Sequence, residues 1–329
     1  MTQTAAIFGP AGLALTAWEA GFFREADPFG FILFARNIDN PDQLRRLTGD
    51  LRAALGRDAP VLIDQEGGRV QRMRSPHWRE YLPALDQMGR AHDPLRAQYL
   101  RYVLIADELR SVGIDVNCAP LADIAEEATH PFLQNRLYGY DVATVVAAAR
   151  ACADGLLAGG VLPVLKHIPG HGRARADSHL SLPRVTSSVD DLTAHDFAPF
   201  AALNDLPMGM TAHIVFEALD ADHPATTSAI MMQVIRDQIG FDGLLMSDDL
   251  SMQALAGTMG ERSHAAIAAG CDLVLHCNGD PGEMAQVAQT AGPMSDAATR
   301  RANRALALRK PPAPIDIAAI EAKFNALTA

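Results

Sequence analysis

Gly159-Gly160-Val161-Leu162-Pro163-Val164-Leu165-Lys166-His167-Ile168-Pro169-Gly170-His171-Gly172 contains the end of a helix, a strand and a loop in succession. The glycine pair ends an amphipathic run that begins near Asp141 and places Val142, Val145, Val146, Ala149 and Cys152 on one face. Glycine suits that boundary because helices commonly stop in a left-handed conformation. Leu162 to Leu165 is a short apolar run of strand type, and a Gly/Pro loop follows it. Polar loops presented by rigid strands are where chemistry is usually carried. The residue at the junction, Lys166, is the only lysine before Lys310 in a chain with 28 Lys+Arg. A chain that otherwise relies on arginine places here a compact ammonium donor rather than a planar fork.

The same unit repeats in both directions. Strand-type runs occur at Thr4–Phe8, Gly30–Phe34, Pro60–Asp64, Ile114–Cys118, Leu162–Lys166, Pro207–Thr211, Gly243–Ser247 and Cys271–Leu275. Helical stretches fall between them. Asp93-Pro94 supplies a cap and a proline at the first helical position, and Leu95, Tyr99, Tyr102, Val103, Ala106 and Leu109 form one face. Gly113 and Gly270 stand before strands as Gly159-Gly160 does. Eight β-then-α units predict an α/β fold, a single-domain (β/α)₈ TIM barrel over residues 1–329. A doubly wound open sheet is the alternative, and the absence of a Gly-rich dinucleotide turn after the first strand weighs against it. Residues 280–329 read as an extra helical extension packed outside the barrel, broken by Pro311-Pro312 and Pro314.

Composition narrows the function classes. A hydrophobic share of 49% fills a large core, and a net charge of -11 argues against nucleic-acid or anionic-membrane partners, which need clustered basic residues. The four cysteines, Cys118, Cys152, Cys271 and Cys277, form no C-x-x-C pair and no disulfide framework. The apolar N-terminus lacks a basic leader region. These features lead to the expectation of a reduced, soluble, cytoplasmic monomer.

Asp64, Lys166, His213, Asp248 and Asn278 all fall at or just beyond strand ends, which in a barrel form the active-site face. In Met246-Ser247-Asp248-Asp249-Leu250, strand alternation points Asp248 and Asp249 to opposite sides. Asp248 is then a candidate nucleophile or base, and Asp249 a helix cap or the partner of an arginine. Asp177-Ser178-His179 places a carboxylate two residues before an imidazole, a pairing that suits proton transfer near neutral pH, with Gly170 and Gly172 upstream as expected hinges. His167, His171, Asp177 and His179 could supply zinc ligands, but Pro169-Gly170 forbids the helix that would align the first two. No metal or cofactor is expected. Asp64-Gln65-Glu66-Gly67-Gly68-Arg69-Val70-Gln71-Arg72 carries both charge signs around a tight turn, which suits a hydroxyl-rich ligand or, equally, a surface ion pair.

Taken together, that last motif, Lys166-His167-Ile168-Pro169-Gly170-His171-Gly172 with Asp177-Ser178-His179, and Ser247-Asp248-Asp249-Leu250-Ser251-Met252 resemble glycoside hydrolase family 3. Within it they are similar to the bacterial β-N-acetylglucosaminidases of peptidoglycan recycling. The resemblance implies removal of terminal N-acetylglucosamine from muropeptides with retention of configuration. It implies Asp248 as nucleophile, His179 as acid/base in a dyad with Asp177, and Asp64, Arg72, Arg136, Lys166 and His167 as sugar-holding residues. The chain departs from the family's commoner residues at Leu137, where serine is frequent, and at Ile168, where phenylalanine is. Competing expectations are a β-glucosidase-type exo-glycosidase, a phosphorylase that transfers the sugar to phosphate, a metal-dependent hydrolase and a non-enzymatic sugar-binding barrel.

Overall fold

Eight parallel strands surround the core: β1 (Thr4–Phe8), β2 (Pro28–Leu33), β3 (Val61–Ile63), β4 (Val116–Asn117), β5 (Leu162–Ile168), β6 (Met208–Thr211), β7 (Leu244–Asp249) and β8 (Leu273–His276). They pair in chain order, and β8 closes onto β1 with Ala6 opposite Val274. The computed structural model describes residues 3–174 and 182–329. Each expected strand is present, so the (β/α)₈ TIM barrel replaces the open-sheet alternative. In β2, β3 and β5 every residue is buried, as expected where helices cover the outside and side chains fill the inside.

The helix Pro94–Ser111 starts where Asp93 accepts the Arg96 amide, and Val142–Ala158 starts where Asp141 accepts the Thr144 amide. The first of these is buried more widely than one face. Leu100, Leu104 and Ile105 are buried with Tyr102, Val103, Ala106 and Leu109, whereas Leu95 is exposed. The helix is flanked by Val142–Ala158 and by the C-terminal helix Ile317–Thr328, so little of its middle meets water. The first helix of the extension expected over residues 280–329 belongs to the barrel itself. Pro281–Ala291 packs on β1 and β8 as the barrel's own eighth helix, and Asp296–Leu306 and Ile317–Thr328 follow outside it. Among the described residues no helix is long and apolar enough to cross a membrane, and all four cysteines are free and buried.

Candidate active site

The C-terminal ends of the strands surround a cavity of about 870 Å³, its open mouth included. Asp64 and Arg72 from the chain after β3, Arg136 from the loop after β4, Lys166 and His167 from β5, and Asp248 from β7 all line it. Residues scattered over the sequence therefore converge as the barrel topology requires. Asp177 and His179 lie outside the described residues. His213 and Asn278, also expected on the rim, do not line the cavity. His213 is fully buried behind it, and Asn278 is occupied with the Asp280 amide and the Glu283 carboxylate.

Five charges form an alternating chain through the cavity wall. Arg72 Nη2 donates to Asp64 Oδ2 at 3.0 Å, and Lys166 Nζ lies 3.0 Å from Asp64 Oδ1 and 2.6 Å from Glu66 Oε1. Arg136 then grips Glu66 with two parallel bonds of 2.9 and 2.8 Å. Burial opposes ionisation of both carboxyls, but Lys166 and Arg72 outweigh it at Asp64 and hold that group well below the usual range. At Glu66, Arg136 and Lys166 outweigh burial and bring the pKa down to about 2. Burial likewise works against the Lys166 ammonium, and Asp64 and Glu66 overcome it and raise its pKa. The ion pair allowed for in this motif is thus interior, and Glu66 is a site residue that sequence reading passed over. A signal was available: a single residue, Gln65, separates it from Asp64, so in an extended segment both point the same way.

Local backbone chemistry makes this chain possible. Asn117 of β4 accepts the Gln65 amide and donates to the Gln65 carbonyl, both at 3.0 Å, which replaces the sheet ladder just after Asp64. Gln65 Oε1 accepts the Arg72 and Met73 amides, so the hairpin through Gln65–Gly67 and Val70–Gln71 folds Arg72 back onto Asp64. The turn needs glycine. Gly67 has φ 103°, and a Cβ there would lie 1.8 Å from Arg101 Nη2.

Adjacent residues Lys166 and His167 both face the cavity, as do Asp248 and Asp249, although regular strands alternate. In each case the strand register slips, between Leu165 and Ile168 in β5 and between Met246 and Asp249 in β7. Such irregularities re-aim side chains at barrel rims. The expectation of opposite facings for Asp248 and Asp249 is therefore corrected. Asp249 neither caps the next helix, which Thr258 caps, nor forms an ion pair with an arginine among the described residues. It closes the turn by accepting Ser251 N and Oγ and reaches across to the Cys277 amide.

Asp248 accepts the Asp249 amide at 2.8 Å. Burial pushes its carboxyl up, but the His213 and His167 rings when protonated, the Asp249 amide and the Lys166 ammonium offset this and hold it below the ordinary value. His213 supports this strand end from behind. Its Nε2 lies 2.9 Å from the Asp249 carbonyl and its Nδ1 2.7 Å from Thr226 Oγ1. A carbonyl only accepts, so Nε2 carries a proton, while Thr226 Oγ1 is also 3.1 Å from the Ala212 carbonyl, to which it donates. Burial lowers the His213 pKa.

The wall beside His167 rests on Asp123, a fully buried carboxylate that the motifs did not mark. Asp123 Oδ2 lies 2.8 Å from His167 Nδ1, and Oδ1 accepts the His171 amide at 2.6 Å. A lone aspartate inside Ala119-Pro120-Leu121-Ala122-Asp123-Ile124 was the sequence signal, because carboxylates are seldom buried without a task. His171 also lines the cavity, and burial followed by His167 lowers its pKa to about 4, so it is neutral at pH 7. The glycines expected as hinges are points of close approach instead. A Cβ on Gly172 would lie 1.9 Å from the Ile124 carbonyl oxygen, and Thr129 Oγ1 donates to the Gly172 carbonyl. Arg173 pairs with Asp196 and Glu126.

Comparison with known proteins agrees with this geometry. Residues 27–305 match the Glycosyl hydrolase family 3 N terminal domain. A β-hexosaminidase of Bordetella avium (strain 197N) is 39% identical over 278 residues, covering 82% of this chain and 79% of that protein. The crystal structure of NagZ from Neisseria gonorrhoeae in complex with N-trifluoroacetyl-D-glucosamine superposes with a TM-score of 0.88 at 30% identity, covering 100% of this chain and 99% of that one. A glycoside hydrolase family 3 β-N-acetylglucosaminidase from Paenibacillus sp. str. FPU-7 gives 0.84 at 29% identity, covering 96% of this chain and 62% of that one. A matched domain that takes in seven of the eight barrel strands, joined to an acid-lined cavity at its C-terminal face, places this chain in glycosyl hydrolase family 3.

Proposed function

We propose that the chain is a retaining exo-β-N-acetylglucosaminidase that removes terminal N-acetylglucosamine from muropeptide fragments during peptidoglycan recycling in the cytoplasm. At the coarser level it is a glycoside hydrolase of the β-N-acetylhexosaminidase class, the class of its β-hexosaminidase relatives. The observation that carries the finer reading is that Arg72, Asp64, Lys166 and Arg136, joined in one charge chain through the buried Glu66, line the same cavity as Asp248. Rigid N–H donors alternate there with carboxylate acceptors, a pattern that matches hydroxyl groups, each of which both donates and accepts. In this reading Asp64, Arg72, Arg136, Lys166 and His167 hold the sugar.

Asp248, kept anionic by its surroundings, attacks the anomeric carbon and forms a covalent glycosyl ester. His179, oriented by Asp177, gives its proton to the departing oxygen and later takes one from the water that releases the sugar. A His–Asp pair thus replaces the second carboxylate that most retaining glycosidases use.

The test is hydrolysis of a chromogenic β-N-acetylglucosaminide and of its β-glucoside analogue, both in EDTA and with and without inorganic phosphate. Fast cleavage of the acetamido sugar alone, independent of phosphate, is expected. Asp248→Asn should lose roughly four orders of magnitude in kcat while still binding N-acetylglucosamine. Preferred cleavage of the glucoside moves the substrate, phosphate-dependent turnover makes the enzyme a phosphorylase, and an active Asp248→Asn protein ends the assignment of the nucleophile.

A further inference from the structure

Behind the cavity wall lies Asp123, a buried carboxylate that does not itself line the cavity. Asp123 is 1% exposed and sits after β4, yet all its described hydrogen bonds go to the end of β5 and the turn beyond it. It accepts the His167 ring Nδ1 at 2.8 Å, the His167 amide at 3.2 Å and the His171 amide at 2.6 Å. One carboxylate therefore holds a side chain and two backbone amides of a segment in which the strand register has already slipped.

We propose that Asp123 is a positioning residue for sugar recognition, which fixes the tautomer and rotation of the His167 ring so that Nε2 alone meets the substrate. This rests on the reading of His167 as a sugar-holding residue. The chemistry follows from the partners. An ionised carboxylate only accepts, so the proton on the shared bond belongs to His167 Nδ1. In the neutral ring Nε2 is then a bare acceptor facing the cavity, suited to a sugar hydroxyl as donor. The charges around the pair come from several elements: Lys166 beside it on β5, Arg136 from the loop after β4, and Asp248 on β7, with the His171 ring 5.7 Å from that of His167. The His171 amide takes Oδ1 of Asp123, which leaves Oδ2 to the His167 ring, and that bond sets the tautomer.

A purely structural role would have Asp123 stabilise the turn without regard to which ring nitrogen is protonated. Two measurements separate these roles. In wild-type protein with ¹⁵N-labelled histidine, the His167 ring should show the Nδ1–H form at neutral pH. Finding the Nε2–H form would overturn the proposal, and this readout needs neither turnover nor a variant. Asp123→Asn keeps the shape but offers an NH₂ where an acceptor is required, so KM for a chromogenic β-N-acetylglucosaminide should rise roughly ten-fold, with a much smaller change in kcat. In a His167→Ala background the same substitution should add almost no further loss. Additive losses, or a lowered Tm with KM unchanged, would make Asp123 a structural residue only. If wild-type protein cleaved no glycoside at all, the functional reading would fail while the tautomer result still stood.

Discussion

Replacing Glu66 by glutamine should destabilise the protein by about 3 kcal/mol at pH 7, and the loss should shrink as the solution is acidified. Two routes lead to this magnitude. Glu66 is 3% exposed and is shared by Arg136 and Lys166, and removing one partner from a buried ionic cluster typically costs ~3–5 kcal/mol. Independently, its pKa falls from 4.5 to about 2 on folding. At 1.36 kcal/mol per unit, that shift amounts to about 3 kcal/mol. The sign follows from a depressed value: the contribution is complete above pH 4.5 and disappears as pH falls through about 2. Urea unfolding of wild type and Glu66→Gln between pH 7 and pH 3 tests this. At pH 3 less than about half of the difference should remain. A difference that is constant over this range, or below about 1 kcal/mol at pH 7, would show that water screens the cluster as it screens surface pairs.

Three other perturbations address the supports of the site. Gly67→Ala must adopt φ 103° and displace Arg101, whose guanidinium bonds the Glu66 carbonyl and Gln87, so a loss of about 3 kcal/mol is expected by urea unfolding; near-neutral stability would mean that the turn relaxes freely. Asn117→Ala leaves the Gln65 amide and carbonyl without partners at ~1–3 kcal/mol each and should raise KM by loosening Asp64; unchanged stability would refute the role of that cross-strand clamp. Cys118, Cys152, Cys271 and Cys277 are buried, which pushes every thiol up, so a disulfide reagent at pH 8 should find none of them quickly and all four after denaturation. One fast-reacting thiol in native protein would contradict this burial, Cys277 being the critical case because it lines the cavity.

How far the sequence revealed this molecule depended on the range of the interaction. Strands buried on both faces are continuous apolar runs, and glycine marks the ends of the preceding helices, so all eight strands and their barrel closure were legible. Asp64, Lys166 and Asp248 were legible for the same local reason, being polar residues at the ends of apolar runs. Three things were not. Asp123 bonds residues 44 and 48 positions away, and no local pattern encodes that distance. The side-by-side facing of Asp248 and Asp249 comes from a register slip set by the neighbouring strand β8, which strict alternation cannot anticipate. Gly170 and Gly172 read as hinges because glycine permits motion, but Asp196 and Ile124 press on their backbones, and a glycine required for close approach looks the same in sequence.

The charge chain also distinguishes between two kinds of ligand that an arginine- and lysine-lined cavity could take. Isolated cations in a cavity would attract phosphate. Here Lys166 spends two of its three N–H groups on Asp64 and Glu66, Arg136 gives Glu66 a bidentate pair, and Arg72 is paired with Asp64. Three cations against two carboxylates leave one positive charge, which the nearby Asp248 carboxylate balances. The wall is therefore close to neutral as a whole while remaining dense in fixed donors and acceptors. A phosphate would have to displace carboxylates already bound at 2.6 to 3.0 Å, whereas a neutral sugar can use the remaining N–H groups and oxygen lone pairs without breaking any of these bonds. Such preorganisation also keeps the charges from rearranging while Asp248 reacts, which is how fixed dipoles contribute most to catalysis. Loss of a single member, whether Asp64, Lys166 or Glu66, would leave an unbalanced charge beside the nucleophile. For that reason the effect on kcat should exceed what one lost hydrogen bond to the sugar would cause.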